Sequence, residues 1–369
     1  MRSTIKVLVV DDSALVRQML TRVLRLDPRI EIVGIARNGV EAIEKARDLD
    51  PDVITLDVEM PELNGLEALP HIARHSRARV VMLSSLDDPD ITYQALQGGA
   101  VDFISKPRDG VATSLNDLAE LLIKKIKTAY RLDPGHVDET VAAVRADAAG
   151  GVVAGYRGAD HQDVPEPAAG GGLKRIVAIA ASTGGPPALE RVFLGLDRGL
   201  LATYLIVQHL PAGFSASLAR RLTAASNIEV VQAEDGMRLE VGRGYIAPYG
   251  SHMKVAATDA NHYVISLDEE TPAIHGVKPA ADPLFDSVAA TFGARAMGVV
   301  LTGMGSDGAS GLRSIREAGG DAVAQDEDTS VIWGMPGAAV RIGAARRCAP
   351  IGLIAPEIRR FARGGVSDE

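Results

Sequence analysis

Three residues that could act together in acyl transfer follow three apolar runs in the second half of the chain. Ser182 comes just after IVAIA, His209 directly follows YLIVQ, and Asp307 lies shortly after MGVVLT. A serine hydroxyl becomes a nucleophile when an imidazole accepts its proton, and a carboxylate can orient that imidazole and stabilise its protonated form. Because parallel strands end at one edge of a sheet, we expect the three side chains to converge there.

Other interpretations of these residues stay open on spacing alone. Ser182, in STGGPP, could simply cap a helix whose first turn holds Pro186, and Asp307 could cap the helix that follows it. GMGSDG is only a partial match to a nucleotide-binding GxGxxG loop. The chain order of serine, histidine and aspartate also differs from the order in α/β-hydrolases. Three further histidines near a predicted hairpin compete as bases: His252, His262 and His275.

A second group of polar residues follows apolar runs in the first half of the chain. The group comprises Asp11, Asp12, Asp57, Ser84 and Lys106. Carboxylates at close quarters repel one another, and a divalent cation relieves that repulsion; a site made only of oxygen ligands suits Mg²⁺ better than zinc. A lysine at a neighbouring strand end could hold a phosphoryl oxygen. Taken singly, each aspartate is better explained as a solvated loop acid, and only their positions at successive strand ends favour a site.

Short apolar runs alternate with amphipathic stretches through the first 130 residues. We predict strands over residues 5–10, 32–36, 53–56, 80–83 and 102–105. We predict helices over residues 13–26, 39–48, 66–74 and 118–130. This alternation predicts a parallel sheet covered on both faces, in a flavodoxin-like (βα)5 domain with its site at the carboxyl ends of the strands.

A second α/β region begins at Lys174. We predict strands over residues 176–180, 204–208, 244–247 and 297–302, and an inserted antiparallel hairpin over residues 253–257 and 262–267. Asp282 before Pro283 predicts a helix that starts with an aspartate N-cap. The fold class of this region is a second doubly wound, mostly parallel α/β domain.

The stretch between the two regions has a different composition. Residues 131–172 are rich in Gly, Ala and Asp, which predicts a flexible linker with one helical turn near residues 137–146. The predicted organisation is therefore a domain over residues 1–130, the linker over residues 131–172, and a second domain over residues 173–369.

Composition excludes several classes of protein. The 369 residues carry a net charge of −9, and residues 173–369 hold 19 basic and 21 acidic side chains, which argues against nucleic-acid binding. The single cysteine, Cys348, excludes an internal disulfide framework and a cysteine-rich zinc site. No run approaches the roughly 20 apolar residues of a membrane span, and the N-terminus lacks the pattern of a secretion signal, so we expect a cytoplasmic protein.

Residues 5–130 resemble a response-regulator receiver domain. The resemblance is carried by DD at 11–12, LDVEMPELNGLE around Asp57, LSS at 83–85 and SKP at 105–107. It implies that a sensor histidine kinase phosphorylates Asp57. It also implies a set of Mg²⁺ ligands: Asp11, Asp12, Asp57 and the backbone carbonyl of Glu59. Three residues would sense the phosphoryl group: Ser84, Lys106 and Phe103. Because phenylalanine has no hydroxyl, a switch at Phe103 would work mainly through packing.

Residues 174–360 resemble the catalytic domain of chemotaxis protein-glutamate methylesterases. The matching motifs are IAASTGGPPAL (179–189), VQHLPAGF (207–214), LTGMGSDGASGL (301–312) and AQDEDTSVIWGMPGAAV (324–340). The resemblance implies that Ser182 is the nucleophile, His209 the general base and Asp307 the acid that orients it. It also implies an oxyanion donor in the backbone N–H of Met304, with Thr183 close to the nucleophile.

The two resemblances together imply a phosphorylation-activated hydrolase. It would remove methyl esters from γ-glutamyl residues of methyl-accepting chemoreceptors and deamidate receptor glutamines. We expect Mg²⁺ in the first domain, no cofactor in the second, no nucleic-acid partner, no membrane insertion, and recruitment from the cytoplasm to membrane receptor arrays. Two alternatives stay open: a receiver-controlled acyl hydrolase in another signalling pathway, and a non-catalytic regulator whose second domain only binds a partner.

Overall fold

The computed structural model describes residues 4–84, 94–96, 98–106, 115–132, 175–197, 199–259 and 262–364. The chain divides into two compact units, one within the first 145 residues and one from residue 146 onward. Apart from its first two positions, the predicted linker lies outside the described residues, as does its helical turn. The predicted domain boundaries therefore stay a prediction.

The first unit is built on one parallel sheet. Its strands are β1 (Ile5–Val10), β2 (Ile30–Ala36), β3 (Val53–Asp57), β4 (Arg79–Ser84) and β5 (Asp102–Ser105). Its helices include α1 (Ala14–Leu24), α2 (Gly39–Leu49), α3 (Gly65–His75) and α4 (Leu115–Arg131). The strand order is β2-β1-β3-β4-β5, and every residue of the central strand β3 is buried. This is the flavodoxin-like order, so the predicted fold class is confirmed.

The second unit is built on a larger parallel sheet with a separate antiparallel pair. Its strands are β6 (Arg175–Ala181), β7 (Ala202–Gln208), β8 (Glu229–Gln232), β9 (Arg243–Ile246), β10 (His252–Ala257), β11 (Tyr263–Asp268), β12 (Ala296–Val300), β13 (Asp321–Gln325) and β14 (Arg347–Ala349). The seven-stranded sheet has the order β14-β13-β12-β6-β7-β9-β8, and β10 pairs with β11. The predicted doubly wound domain with an antiparallel hairpin is confirmed.

The helices of the second unit connect these strands. They are α5 (Gly185–Leu194), α6 (Phe214–Ala225), α7 (Ala281–Phe292), α8 (Ala309–Glu317), α9 (Met335–Arg341) and α10 (Ile351–Ala362). The predicted start of α7 is wrong. The helix begins at Ala281 and is preceded by Ala280, whose side chain cannot accept a hydrogen bond. Asp282 is the second helical residue, and the first amides are capped from another loop, as described below.

The strand order places a crevice beside β6, the central strand. From β6 the chain continues to β7 on one side, whereas β12 on the other side leads outward to β13 and β14. In open α/β sheets such a switch point, at the carboxyl ends of the strands, is where ligands bind.

None of the described helices combines the length and the apolar character that a membrane span requires.

The helices α7 and α8 approach each other at Gly311. A Cβ atom at this position would lie 2.5 Å from the Cβ of Phe285 and 3.0 Å from the carbonyl oxygen of Asp282. The Gly311 amide also donates to the Asp282 carboxylate at 2.8 Å. A larger residue at position 311 would therefore push apart the two helices that flank the site.

We predict that Gly311→Ala lowers the free energy of unfolding of the second unit by about 1–3 kcal/mol, because the added methyl overpacks the helix pair. Gly352→Ala is the matched control. Gly352 lies in α10, and a Cβ there would meet nothing within 4 Å, so the change should be neutral or stabilise by up to about 1 kcal/mol. Denaturant unfolding followed through Trp333, the only tryptophan, measures both. Equal destabilisation by the two changes would contradict this account.

Candidate active site and phosphorylation site

The predicted acidic site lies at the carboxyl edge of the first sheet. Lys106 Nζ lies 3.0 Å from Asp11 Oδ2 and 2.6 Å from Asp57 Oδ2, so one ammonium joins the ends of β1, β3 and β5. Asp11 and Asp57 are buried, whereas Asp12 is exposed. The Glu59 amide donates to Asp57 Oδ1 at 3.3 Å. Lysine therefore offsets part of the charge that gathers at this edge.

Burial changes the ionisation of this cluster. It raises the pKa of the Asp57 carboxyl to about 6, with a contribution from the charge of Asp11 and against the opposing effect of Lys106. Burial also disfavours the charged form of Lys106, but the two carboxylates outweigh that effect and raise the pKa of its ammonium. Bringing the two carboxylates together at the strand ends therefore has an electrostatic cost in the absence of a cation.

The residues present fit a magnesium ion. Asp11, Asp12 and Asp57 each offer a carboxylate oxygen, and these oxygens all lie within 4.8 Å of one another. Hard oxygen donors with net negative charge are the ligands that Mg²⁺ takes in proteins. Two of the predicted sensing residues, Ser84 and Phe103, are buried, the first at the end of β4 and the second within β5. Their predicted roles in phosphoryl sensing stay a prediction.

The nucleophile candidate lies at the carboxyl end of the central strand of the second sheet. Ser182 follows β6 directly and is half-buried, and helix α5 begins three residues later. Its amide donates to the carbonyl of Thr302, beyond the end of β12, at 3.0 Å. The Thr302 hydroxyl donates to the carbonyl of Thr183 at 3.0 Å and accepts from the amide of Ile332 at 2.9 Å. These bonds hold the turn that carries Ser182 against two neighbouring loops.

The base and acid candidates are in direct contact. His209 directly follows β7, and its Nε2 lies 2.8 Å from Asp307 Oδ2. Because Nε2 faces the carboxylate, Nδ1 is the ring nitrogen left to accept a proton from a hydroxyl. Ser182, His209 and Asp307 thus lie beyond the carboxyl ends of β6, β7 and β12, as the sequence predicted. Their individual catalytic roles stay a prediction.

Asp307 also caps a helix. Its Oδ2 accepts from the amide of Ala281 at 2.7 Å, and its Oδ1 accepts from the amide of Asp282 at 3.2 Å. Burial works to raise the pKa of the Asp307 carboxyl, but the hydrogen bonds from His209 and from these amides outweigh it and hold the pKa below its usual value. The alternative that Asp307 caps the helix after it is wrong, because α8 follows Gly308 and has no side-chain cap. The helix that Asp307 caps is α7, which precedes it in the chain.

The three competing histidines occupy other environments. His252 is fully buried; its Nδ1 accepts from the Ala280 amide at 3.1 Å, and its Nε2 lies 3.0 Å from the Pro272 carbonyl. His262 pairs with Asp259 in the hairpin turn. The ring nitrogens of His252 and the Nδ1 of His262 are thus engaged by other groups than Ser182.

The third competing histidine lies close to the candidate site. His275 Nε2 lies 3.1 Å from Asp282 Oδ2, and with Asp307 these residues form a group whose ligand atoms lie within 4.8 Å. Burial, and secondarily the charge of Asp307, raise the pKa of the Asp282 carboxyl. The prediction that this domain needs no metal stays a prediction, and a chelator tests it below.

Sequence reasoning missed the backbone packing around Ser182. A Cβ on Gly303 would lie 2.8 Å from the Cβ of Ser182 and 2.4 Å from the sulfur of Met335. Gly303 therefore lets the loop after β12 lie directly against Ser182. Met304, the predicted oxyanion donor, is the next residue, and Thr183, which follows Ser182, is buried. The glycines of GMGSDG were a visible signal of close approach.

The class that follows from this fold and site is a hydrolase coupled to a receiver domain. A family model described as CheB methylesterase matches residues 177–358, and one described as response regulator receiver domain matches residues 7–113. The chain belongs to the protein-glutamate methylesterase/protein-glutamine glutaminase family, whose members are carboxylic ester hydrolases.

Individual relatives align over nearly the whole chain. A protein-glutamate methylesterase/protein-glutamine glutaminase of Pyrococcus horikoshii is 42% identical over 98% of this chain and 95% of its own length. One from Xanthomonas campestris pv. campestris is 42% identical over 97% of each chain. The crystal structure of the Thermotoga maritima CheB methylesterase catalytic domain is 35% identical, covers 51% of this chain and 97% of its own, and has a TM-score of 0.49.

The raised pKa of Asp57 generates a prediction for stability. In the folded state the pKa of this carboxyl is about 6, compared with its ordinary value of 3.8. The folded state therefore binds more protons than the unfolded state between about pH 4 and pH 6. The free energy of unfolding should therefore fall as the pH rises through that window. Asp57→Asn removes the titration and leaves Lys106 paired with Asp11. At pH 7.5 the free energy of unfolding of the variant should be higher than that of the wild type by on the order of 1–3 kcal/mol. Near pH 4 the two free energies of unfolding should be equal.

Differential scanning calorimetry of the full chain in chelator measures this difference in the transition that shifts on addition of Mg²⁺. Added Mg²⁺ is the control, because it should stabilise the wild type and so reduce the difference in stability between the wild type and Asp57→Asn. An asparagine variant less stable than the wild type at pH 7.5 in chelator would show that the ion pair with Lys106 outweighs the burial of the carboxylate.

Proposed function

We propose that this protein hydrolyses γ-glutamyl methyl esters on chemoreceptors and deamidates receptor glutamines, with Ser182, His209 and Asp307 as its catalytic residues. The observation that carries the proposal is the 2.8 Å contact between His209 Nε2 and a buried Asp307 carboxylate, beside the strand end that bears Ser182. Membership in the methylesterase/glutaminase family supplies the substrate class. The same contact disfavours a second domain that only binds a partner, since binding alone needs no oriented imidazole.

The proposed reaction begins with attack of Ser182 Oγ on the γ-carbonyl carbon of the substrate. His209 Nδ1 accepts the hydroxyl proton, and the Asp307 carboxylate stabilises the resulting imidazolium through Nε2–H. Collapse of the tetrahedral intermediate breaks the carbon–oxygen bond of the ester, and His209 returns the proton to the departing methoxide, which leaves as methanol. Water then attacks the acyl-enzyme by the same route and releases the glutamate carboxylate.

Deamidation of glutamine follows the same path with a different leaving group. The acyl group transferred to Ser182 is the same γ-glutamyl group, and ammonia leaves in place of methanol. The oxyanion would be held by the backbone N–H of Met304, in the loop that Gly303 brings against Ser182, together with a donor from Thr183. One site therefore serves both activities.

The first domain is proposed to control this activity through phosphorylation of Asp57. A carboxylate oxygen of Asp57 attacks the phosphoryl group of a sensor histidine kinase, and the phosphorus–nitrogen bond of its phosphohistidine breaks. Mg²⁺, held by Asp11, Asp12, Asp57 and the Glu59 carbonyl, would neutralise charge on the transferring group. Lys106 already contacts two of these carboxylates, so a phosphoryl oxygen at Asp57 gives its ammonium a new partner. Ser84 and Phe103 would sense the phosphoryl group, Phe103 mainly through a change in packing. We place the protein in the cytoplasm, recruited to membrane receptor arrays.

We predict that Ser182→Ala lowers the rate of methanol release by about 10³-fold or more, because the triad loses its nucleophile. His209→Gln should be similarly severe. Circular dichroism and thermal unfolding should match the wild type for Ser182→Ala, since a half-buried hydroxyl contributes little packing. The assay uses the full chain and membranes that carry methyl-labelled chemoreceptors. Methanol release by Ser182→Ala at near the wild-type rate would refute the assignment.

A chelator control separates this mechanism from metal-dependent hydrolysis. In the absence of a phosphodonor, hydrolysis should continue unchanged in excess chelator. Loss of that activity would instead favour a metal at the group formed by His275, Asp282 and Asp307. Rapid turnover of a simple alkyl ester without receptor would favour an acyl hydrolase of another pathway.

We predict that Asp57→Asn keeps the unstimulated rate and loses stimulation by a small phosphodonor such as acetyl phosphate, because asparagine cannot accept the phosphoryl group. Stimulation of the wild type should require Mg²⁺. Asp52→Asn is a matched control, because Asp52 lies in the same unit and, among the described residues, its side chain accepts a hydrogen bond only from the Lys6 amide. Equal stimulation of the wild type and Asp57→Asn would place the phosphorylated residue elsewhere.

A further inference from the structure

Gln208 is a buried polar residue at the end of a mostly apolar strand. It is the last residue of β7, directly before His209, and only 2% of its surface is exposed. Its Nε2 donates to the carbonyl oxygen of Ser182 at 2.8 Å and to the carbonyl oxygen of His209 at 3.2 Å. One side-chain amide therefore joins the backbones of the proposed nucleophile and the proposed base.

The sheet itself does not make this connection. The register of β6 and β7 ends with Ala181 opposite Gln208, and the final backbone bond runs from the His209 amide to the Ala181 carbonyl at 3.1 Å. Beyond that point Ser182 turns toward β12, where its amide is bound by Thr302. The carboxamide of Gln208 extends the link between the two strands by one residue, to the position where the chemistry takes place.

The orientation of the carboxamide is fixed by its surroundings. Both carbonyls are acceptors, so only the NH₂ end of the amide can face them. The Oε1 end lies against the start of α5, where a Cβ on Gly185 would be 1.9 Å away, and Oε1 has no hydrogen-bond partner among the described residues. A buried acceptor without a partner is destabilising, whereas methionine would fill similar space without that cost. Packing alone therefore does not explain a glutamine here.

We propose that Gln208 is a positioning residue that sets the distance between Ser182 and His209. It acts through their two carbonyls and does not touch the substrate. The proposal rests on the function proposed above, because it assigns Gln208 to the same reaction. Displacement of a nucleophile by about 1 Å can cost about 10²-fold in rate. Loss of the amide donors should therefore slow the chemical step and leave receptor binding intact.

Gln208→Met tests this directly, since it keeps most of the volume and removes both donors. With methyl-labelled receptor membranes, kcat should fall by about 10- to 100-fold while KM stays within about twofold. Gln232→Met is the matched control. Gln232 ends the edge strand β8 of the same sheet and accepts a bond from Ser215 at 2.6 Å, so its loss should leave kcat unchanged.

Gln208→Glu adds a second test, the pH dependence of kcat relative to the wild type, which a purely structural role of Gln208 would not change. An ionised glutamate presents only acceptors to the two carbonyls, whereas the protonated form can donate to one of them. The kcat of this variant relative to the wild type should therefore rise as the pH falls, whereas the ratio for Gln208→Met should stay constant with pH.

The outcomes separate this proposal from the catalytic assignment. A folded Gln208→Met with kcat within twofold of the wild type overturns the role of Gln208 and leaves the function intact, provided that Ser182→Ala is inactive. A loss of rate that merely matches the loss of folded protein also overturns it. If Gln208→Met does not fold, the glutamate variant decides: a kcat ratio that does not change with pH overturns the proposal. Full activity of Ser182→Ala would instead refute the proposed function itself.

Discussion

The second unit depends most on the hydrogen bonds that the carboxylate of Asp307 accepts. It lies in the loop after β12, accepts a hydrogen bond from His209 at the end of β7, and caps α7 through the amides of Ala281 and Asp282. Three separate parts of the chain thus meet at one buried group. The capped helix has no cap from a neighbouring side chain in its own sequence. The hydrogen bond and charge of His209, together with the hydrogen bonds from the helix amides, hold the pKa of Asp307 below its usual value despite burial. The charge that stabilises the helix is therefore the charge that orients the imidazole.

Close backbone packing supplies the rest of the arrangement. Gly303 lies against Ser182, the Thr302 carbonyl accepts from the Ser182 amide, and the Gln208 amide reaches the Ser182 carbonyl from the other side. Ser182 is consequently held through its main chain from both neighbouring strands. In the first unit, Lys106 holds two carboxylates together in a comparable way, and a phosphoryl group would compete for the same ammonium.

Both folds were predictable from the sequence because their inner strands are long apolar runs that alternate with helical patterns. The strands β13 and β14 were missed because Val323 is their only large apolar side chain. The edge strand β8 was also missed, although it is no shorter than β9, which was predicted. The start of α7 was placed two residues late because its cap comes from Asp307, 26 residues further along the chain than Ala281, and local sequence cannot show such a bond. The role of Gln208 could have been suspected from the sequence, because a polar residue at the end of a buried strand needs hydrogen-bond partners.

In the proposed mechanism, Ser182 owes its reactivity to a histidine that Asp307 holds in place. Reaction of the full chain with a fluorophosphonate, followed by peptide mapping, tests this most directly because the reagent reports the nucleophile without a receptor. We expect a single adduct, on Ser182, formed much more slowly in His209→Gln and Asp307→Asn. An adduct on a different serine, or Ser182 labelling in His209→Gln at the wild-type rate, would contradict the account.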